Sequence, residues 1–342
     1  MKKRIILSYD YELFFGDRSG TVQKSLIEPT NQLLDAMDSV GFKGNFFIDW
    51  QMIKYLSMED DNRCKQDYDA IVNQLKDIVH RGHRIELHIH PHWVDAKYNG
   101  DGTWNFNEFE HYSLNSFTKD EITEMFVGGT NLLESIAREV EPDYKIVAFR
   151  AGGWAVQPFD MLKEGFIKAG IKVEASVAVG VYGKNLHSQY DFRIAPNKDL
   201  YRFDDDVCRE VHNGAYIEVP ITCFERKFIN KVFDKLTNLT TNWLAFITDG
   251  THVRKEDMEE NSAGVFNSLT QRGMLGFRMC PLNSPLYVIE LGHYITCFLH
   301  HPKDQTKASA MCIKMLSFVS KSITYKDIVA VSYTHLRAHE TL

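Results

Sequence analysis

Hydrophobic and polar positions along the chain fall into two alternating periodicities. Short runs rich in β-branched and aromatic residues recur at residues 4–8, 44–48, 84–88, 145–149, 172–176, 216–219 and 294–299. Each has the length and composition of a buried strand. Between them, apolar residues repeat at three- and four-residue spacing over 26–39, 68–81, 119–140, 158–169 and 307–320, the signature of amphipathic helices. The third helix opens on Thr118-Lys-Asp-Glu121, a capping box that satisfies orphan backbone donors. Pro158 suits the first turn of the fourth, and Gly170 suits its C-terminal cap. Strand–helix alternation predicts an α/β fold with a mostly parallel sheet. About seven such units fit one (β/α) barrel better than two domains. Residues 182–218 break the rhythm with polar residues and the acidic triplet Asp204-Asp205-Asp206, so a surface insertion is expected there. No Pro/Gly/Ser linker, charge block or internal repeat divides the chain.

Composition narrows the function. The 342 residues are 44% hydrophobic and 25% charged, an ordinary globular balance that excludes disorder as the main theme. A net charge of −7 has the wrong sign for gripping nucleic acid. No run approaches the roughly 18 apolar residues of a membrane span. The opening Met1-Lys-Lys-Arg-Ile-Ile-Leu7 has only three apolar residues, against about seven or more in an export signal. The six cysteines form no C-x-x-C pair, which indicates neither a zinc knuckle nor a disulfide scaffold. Together these features point to the cytoplasm. The segment from Val331 to Thr341 resembles a translated sequencing adaptor, so residues 331–342 are expected to be foreign and residues 1–330 to form a single barrel.

The candidate chemistry gathers where predicted strands end. Asp10 and Glu12 follow the first strand at i and i+2 and so share a face. The third strand runs into His88-Ile-His90-Pro-His92. Three histidines in five residues at a strand end indicate a metal or catalytic site, because neutral imidazole is a common metal ligand. Phe149-Arg150-Ala-Gly-Gly-Trp154 ends another strand. Its glycines allow close backbone approach, and Trp154 is a candidate for stacking on a sugar ring or for the core. Leu299-His300-His301-Pro302 ends the last.

In this order the motifs resemble those of the polysaccharide deacetylase family (NodB homology, carbohydrate esterase family 4). Asp10-Tyr11-Glu12 stands where that family has an Asp-Asp pair. Gly82-His83 through His88-x-x-x-His92 is similar to its metal motif, Arg150-Ala-Gly-Gly to its Arg-x-Pro-Tyr motif, and Leu299-His300-His301 to its terminal motif. Glu174-Ala-Ser176 is the nearest match to its acid-containing strand. The resemblance implies a modified (β/α)7 barrel holding a divalent metal, most fitly Zn2+, on Glu12, His88 and His92. Asp10 would be the general base, oriented by Arg150. His301 would be the general acid, with His300 the alternative. Tyr11, His90, Gly153 and Trp154 would contact substrate, and His90→Ala would largely spare metal binding. The implied substrate is an N-acetylated amino sugar, nucleotide-linked, lipid-linked or within an oligosaccharide, in surface polysaccharide biosynthesis. Hydrolysis of another C–N bond, in a cyclic amide or a formamide, and non-catalytic sugar binding by a degenerate site are the alternatives.

Overall fold

The computed structural model describes residues 2–108, 110–184, 187–225, 227–242, 245–252, 272–274, 276 and 281–331. The adaptor-like tail beyond Val331 lies outside them. The strands of the main sheet are β1 (Lys3–Tyr11), β2 (Gly44–Asp49), β3 (Arg84–Ile89), β4 (Ala148–Ala151), β5 (Val173–Glu174), β6 (Tyr201–Phe203), β7 (Tyr216–Glu218), β8 (Ile295–His300) and β9 (Ser320–Ser322). Six helices pack against them: α1 (Glu28–Asp38), α2 (Trp50–Met58), α3 (Asn62–His80), α4 (Lys119–Arg138), α5 (Lys163–Ala169) and α6 (Ser309–Leu316).

The strands form one sheet in the order β6-β7-β5-β4-β3-β2-β1-β8, with β9 also paired to β1. Every pairing is parallel except β6 with β7. Just past β7, the Thr222 N–H donates to the Cys297 carbonyl of β8 at 3.1 Å. The Cys297 N–H donates back to Thr222 Oγ1 at 2.9 Å. These two bonds join the far end of the sheet to β8, so the α/β fold curls into the barrel that the alternation predicts.

Strand periodicity sorts each side chain inward or outward. In β1, Tyr9 and Tyr11 face the helices: the Tyr9 hydroxyl donates to Met37 Sδ at 3.4 Å and the Tyr11 hydroxyl to Gln74 Oε1 at 2.8 Å. Ser8 and Asp10 face the lumen. The core is therefore double. Ile6, Phe47, Ala148, Val173, Cys297 and Tyr325 pack the base of the lumen. Leu33, Phe46, Leu75, Phe126 and Phe149 fill the layer between strands and helices.

Several elements depart from the sequence expectations. The short helix α2 was not expected, because the apolar run crosses from β2 into it with no turn residue between. Pro158 has ψ 136° and precedes a 3-10 turn at Phe159–Met161, so α5 starts only at Lys163. The last predicted helix stops at Leu316, because Ser320–Ser322 is recruited as a strand beside Lys3–Ile5. The irregular insertion contains a hairpin, Tyr182–Lys184 with Gln189–Asp191, and strand β6. Two caps are as expected: the Thr118–Glu121 capping box closes in both directions, and Gly170 sits at φ 72°.

Candidate metal and acid–base site

The C-terminal ends of the parallel strands converge on one mouth of the barrel, where such folds place their chemistry. β1 delivers Asp10 and, just beyond its end, Glu12. β3 delivers His88 and the residue after its end, His90, and β4 delivers Arg150. The turn after β8 delivers His301, Lys303 and Asp304.

Arg150 is wholly buried and every edge of its guanidinium is held. Nη1 donates to Asp10 Oδ1 at 2.6 Å, Nη2 to Ser8 Oγ at 2.8 Å, and Nε to the Ala175 carbonyl at 2.8 Å. Its Cζ lies 4.2 Å from the Phe47 ring centroid. Burial alone would favour the neutral form, but Asp10 outweighs it and raises the Arg150 pKa further. The other oxygen of Asp10 lies 3.5 Å from His301 Nε2. The opposite ring nitrogen, Nδ1, is 3.4 Å from Asp304 Oδ2. Asp304 is itself 2.6 Å from His252 Nε2. His301 Nε2 also lies 3.6 Å from Glu12 Oε1, so the ring sits among three carboxylates and, at 24% side-chain exposure, is more open than Asp10 or Glu12, each at 5%.

Glu12 organises the other half of the site. Its Oε2 lies 3.0 Å from His88 Nε2 and 2.7 Å from His90 Nε2. Its Oε1 accepts from Lys303 Nζ at 2.7 Å. Burial would raise the carboxyl pKa, but Lys303 and the two histidines hold it well below the usual range. Burial would lower the His88 pKa, but Asp10, Glu12 and Asp49 raise it. His90 is lowered by burial.

The donor chemistry fits a divalent metal. His88 Nδ1 lies 2.7 Å from the Arg150 carbonyl, which can only accept, so Nδ1 carries the hydrogen. His88 Nε2 then turns its lone pair on a carboxylate oxygen, a pairing that calls for a proton or a cation between them. Metal-bound histidines commonly spend their outer N–H on a carbonyl in this way. One ligand atom from each of Glu12, His88 and His90 lies within 4.8 Å of the others, and two nitrogens with one oxygen is a zinc-type set that leaves positions open.

The structure brings together Asp10, Glu12, His88, His90, Arg150 and His301. It places His92, expected as a ligand, differently. His88 and His90 share the inward face by strand periodicity, but Pro91 opens a 3-10 turn that carries His92 off the strand. The His92 ring packs among Phe15, Phe106 and Trp93. Both its nitrogens are buried without a hydrogen-bond partner, and burial drives its pKa well down. Tyr11, expected to touch substrate, is instead fully buried against α3 on the helix side. Glu174 likewise points outward, and the residue after β5, Ala175, offers its carbonyl to Arg150. His300 takes the outward position beside Tyr9, which leaves His301 facing the acids. Gly153 has φ 58°, and a Cβ there would meet Tyr112 at 2.7 Å; a Cβ on Gly152 would meet His90 Nδ1 at 2.7 Å. Trp154 follows at φ 57°, half-buried, with its ring 5.4 Å from that of Tyr190.

Sequence reasoning missed Lys303, Asp304, His252, Asp49 and Tyr112. Asp49, at the end of β2, accepts from Trp93 Nε1 at 2.6 Å, and burial pushes its pKa up to about 7. The i+2 rule applied to the second strand could have found it, as it found Glu12. The loop residues carry no periodic signal.

No protein-family model and no curated protein matches the sequence. Among solved structures, the chain is similar to a protein designated a polysaccharide deacetylase from Mycobacterium smegmatis, at 14% identity and TM-score 0.47, over 99% of this chain and 92% of that one. It is also similar to the 4-alpha-glucanotransferase of Thermococcus litoralis, at 11% identity and TM-score 0.46, over 96% of this chain and 38% of that one. A peptidoglycan N-acetylglucosamine deacetylase matches at 11% identity and TM-score 0.43, over 95% and 87% of the two chains.

Proposed function

We propose that the protein is a metal-dependent hydrolase of the polysaccharide deacetylase type, removing the acetyl group from an N-acetylated amino sugar. The observation that carries this is the pairing, in one barrel mouth, of a Glu12–His88–His90 donor set with an Asp10–His301 acid–base couple 3.5 Å apart. A divalent metal, zinc by the donor set, supplies polarisation of a carbonyl and a more acidic water. Glu12, His88 and His90 would hold it, in place of the Glu12, His88 and His92 set implied by the motif resemblance.

The chain's own groups do the rest. Asp10, locked in one orientation by Arg150, takes a proton from the attacking water. His301 gives a proton to the sugar amine as the C–N bond breaks, and Asp304 holds the ring by its far nitrogen. The products are acetate and a free amino sugar. Trp154 and Tyr190, at the mouth, offer apolar ring faces of the kind that pack against a sugar. The order of the motifs along the chain, from Asp10 and Glu12 to His301, supports the same assignment.

The test couples metal content to acetate release. Zinc-loaded protein is expected to release acetate from N-acetylated nucleotide sugars or oligosaccharides, and chelation to abolish it. His88→Ala and His90→Ala should each weaken zinc binding by roughly 100-fold or more, with Asp10→Asn keeping the metal but losing turnover. A zinc site retained in both histidine variants, or no acetate from any N-acetyl sugar, would sink the proposal.

A further inference from the structure

Lys303 is a lysine in an unusual place. It is 3% exposed, in the short turn Pro302–Asp304 after β8. Its ammonium donates to Glu12 Oε1 at 2.7 Å and to the Leu13 carbonyl at 2.8 Å, and lies 4.4 Å from the Phe15 ring centroid. An ammonium taken out of water is costly unless a partner compensates, and the deacetylation chemistry above makes no use of this one. The turn is also pinned: the neighbouring Asp304 is held by His252, and Thr248 Oγ1 donates to the Lys303 carbonyl at 2.6 Å. Glu12 is therefore divided: Oε1 accepts from the fixed lysine at 2.7 Å, with His301 Nε2 farther off at 3.6 Å, and Oε2 faces His88 and His90.

We infer that Lys303 is the resident counter-cation of Glu12, neutralising that carboxylate whether or not a metal is bound and thereby weakening the metal's hold. This rests on the assignment of Glu12, His88 and His90 as a metal site. Two consequences follow from Coulomb's law at short range. Without metal, the lysine spares the barrel mouth an uncompensated buried carboxylate. With metal, a positive charge close to a ligand oxygen opposes a second cation on the same group. The site is built to be pre-formed and exchangeable rather than tight.

The experiment measures zinc affinity by competition with a chromogenic chelator, and thermal unfolding in chelator and in zinc, for wild type, Lys303→Met and Lys303→Arg. Lys303→Met is expected to bind zinc roughly tenfold more tightly or better. Its melting temperature should fall in chelator and recover with zinc. Lys303→Arg, which keeps the charge, should stay close to wild type in both. Unchanged or weaker zinc binding by Lys303→Met, or an equal loss of stability with and without zinc, overturns the inference. If Lys303→Met does not fold, the double variant Glu12→Gln/Lys303→Met, which removes both charges, must fold; failure of both assigns Lys303 to packing and to its Leu13 bond. Wild type that binds no zinc removes the metal site itself, and this role with it. Zinc-binding wild type with no change in Lys303→Met removes only the role of Lys303.

Discussion

Glu174 and Glu218 are register partners on adjacent strands, both fully buried on the outward face of the sheet. Their neighbours Tyr201, Cys208 and Ser176 bring no positive charge, and the Ser176 N–H and hydroxyl serve only Glu174. Burial, then the charge of Glu174, pushes the Glu218 pKa well up, which favours a proton shared by the pair. A carboxyl whose folded pKa is raised contributes its full stability below the unfolded value and loses it as pH rises, by about 1.4 kcal/mol per pH unit for one proton. Glu218→Gln, whose amide can donate to Glu174 without borrowing a proton, should therefore be more stable than wild type at pH 8 and show a flatter decline between pH 5 and 8. Urea unfolding at the two pH values measures this, and equal slopes would count against the shared proton. The same outward position keeps Glu174, the nearest match to the acid-containing strand, away from the barrel mouth: its sequence match was local, whereas its facing is set by register with Phe149. Asp10, Glu12, His88 and Arg150 were legible because period-two alternation places them all inward. Lys303 and Asp304 were not, since a turn after Pro302 has no period to read.

At the scale of elements, His83 shows how a site-like motif can be structural. It stands between α3 and β3, where its Nδ1 accepts the Gly44 N–H at 2.9 Å and its Nε2 lies 3.2 Å from Asp38 Oδ1. The ring thereby ties the start of β3 to the start of β2 and the end of α1. Accepting from a backbone N–H requires the neutral ring, and burial drives its pKa down to about 4. A histidine with a depressed folded pKa gives stability that is complete above about pH 6.5 and lost as pH falls toward 4, because the unfolded chain takes the proton. The loss amounts to on the order of 3 kcal/mol. His83→Gln should be less stable than wild type at pH 7, and the gap should narrow or vanish at pH 4.5. A gap that stays constant across denaturation curves at the two pH values would contradict the assignment. The strands themselves, the caps and most helices were legible because each is written in local periodicity or capping chemistry. The turn at Pro91 that separates His90 from His92 was not, since spacing alone does not say where a strand stops.

At the scale of the whole molecule, alternation of strands and helices predicted a barrel but could not say how it closes. β7 is only three residues long. This end of the sheet is joined to β8 by Asp199, just before β6, whose carboxylate accepts from the Ile295 N–H at 2.8 Å, and by the pair of bonds between Thr222 and Cys297, 75 residues apart in sequence. One bond is backbone to backbone and survives substitution. The other needs the threonine hydroxyl as acceptor for a buried N–H. Thr222→Val keeps the shape and removes that acceptor, which leaves the Cys297 N–H unsatisfied at a cost of about 1–3 kcal/mol. Thr222→Ser keeps the hydroxyl and is the control for side-chain volume. The valine variant should unfold at a lower urea midpoint with an unchanged slope, and its Cys297 amide should exchange hydrogen faster than in the serine variant. Because Cys297 packs at the base of the lumen with Ile6, Phe47 and Tyr325, directly below the Ser8–Arg150–Asp10 chain, a loosened seam would also free the residues that orient the acid–base couple. Equal midpoints for the valine and serine variants would mean that backbone pairing and lumen packing close the barrel without the hydroxyl.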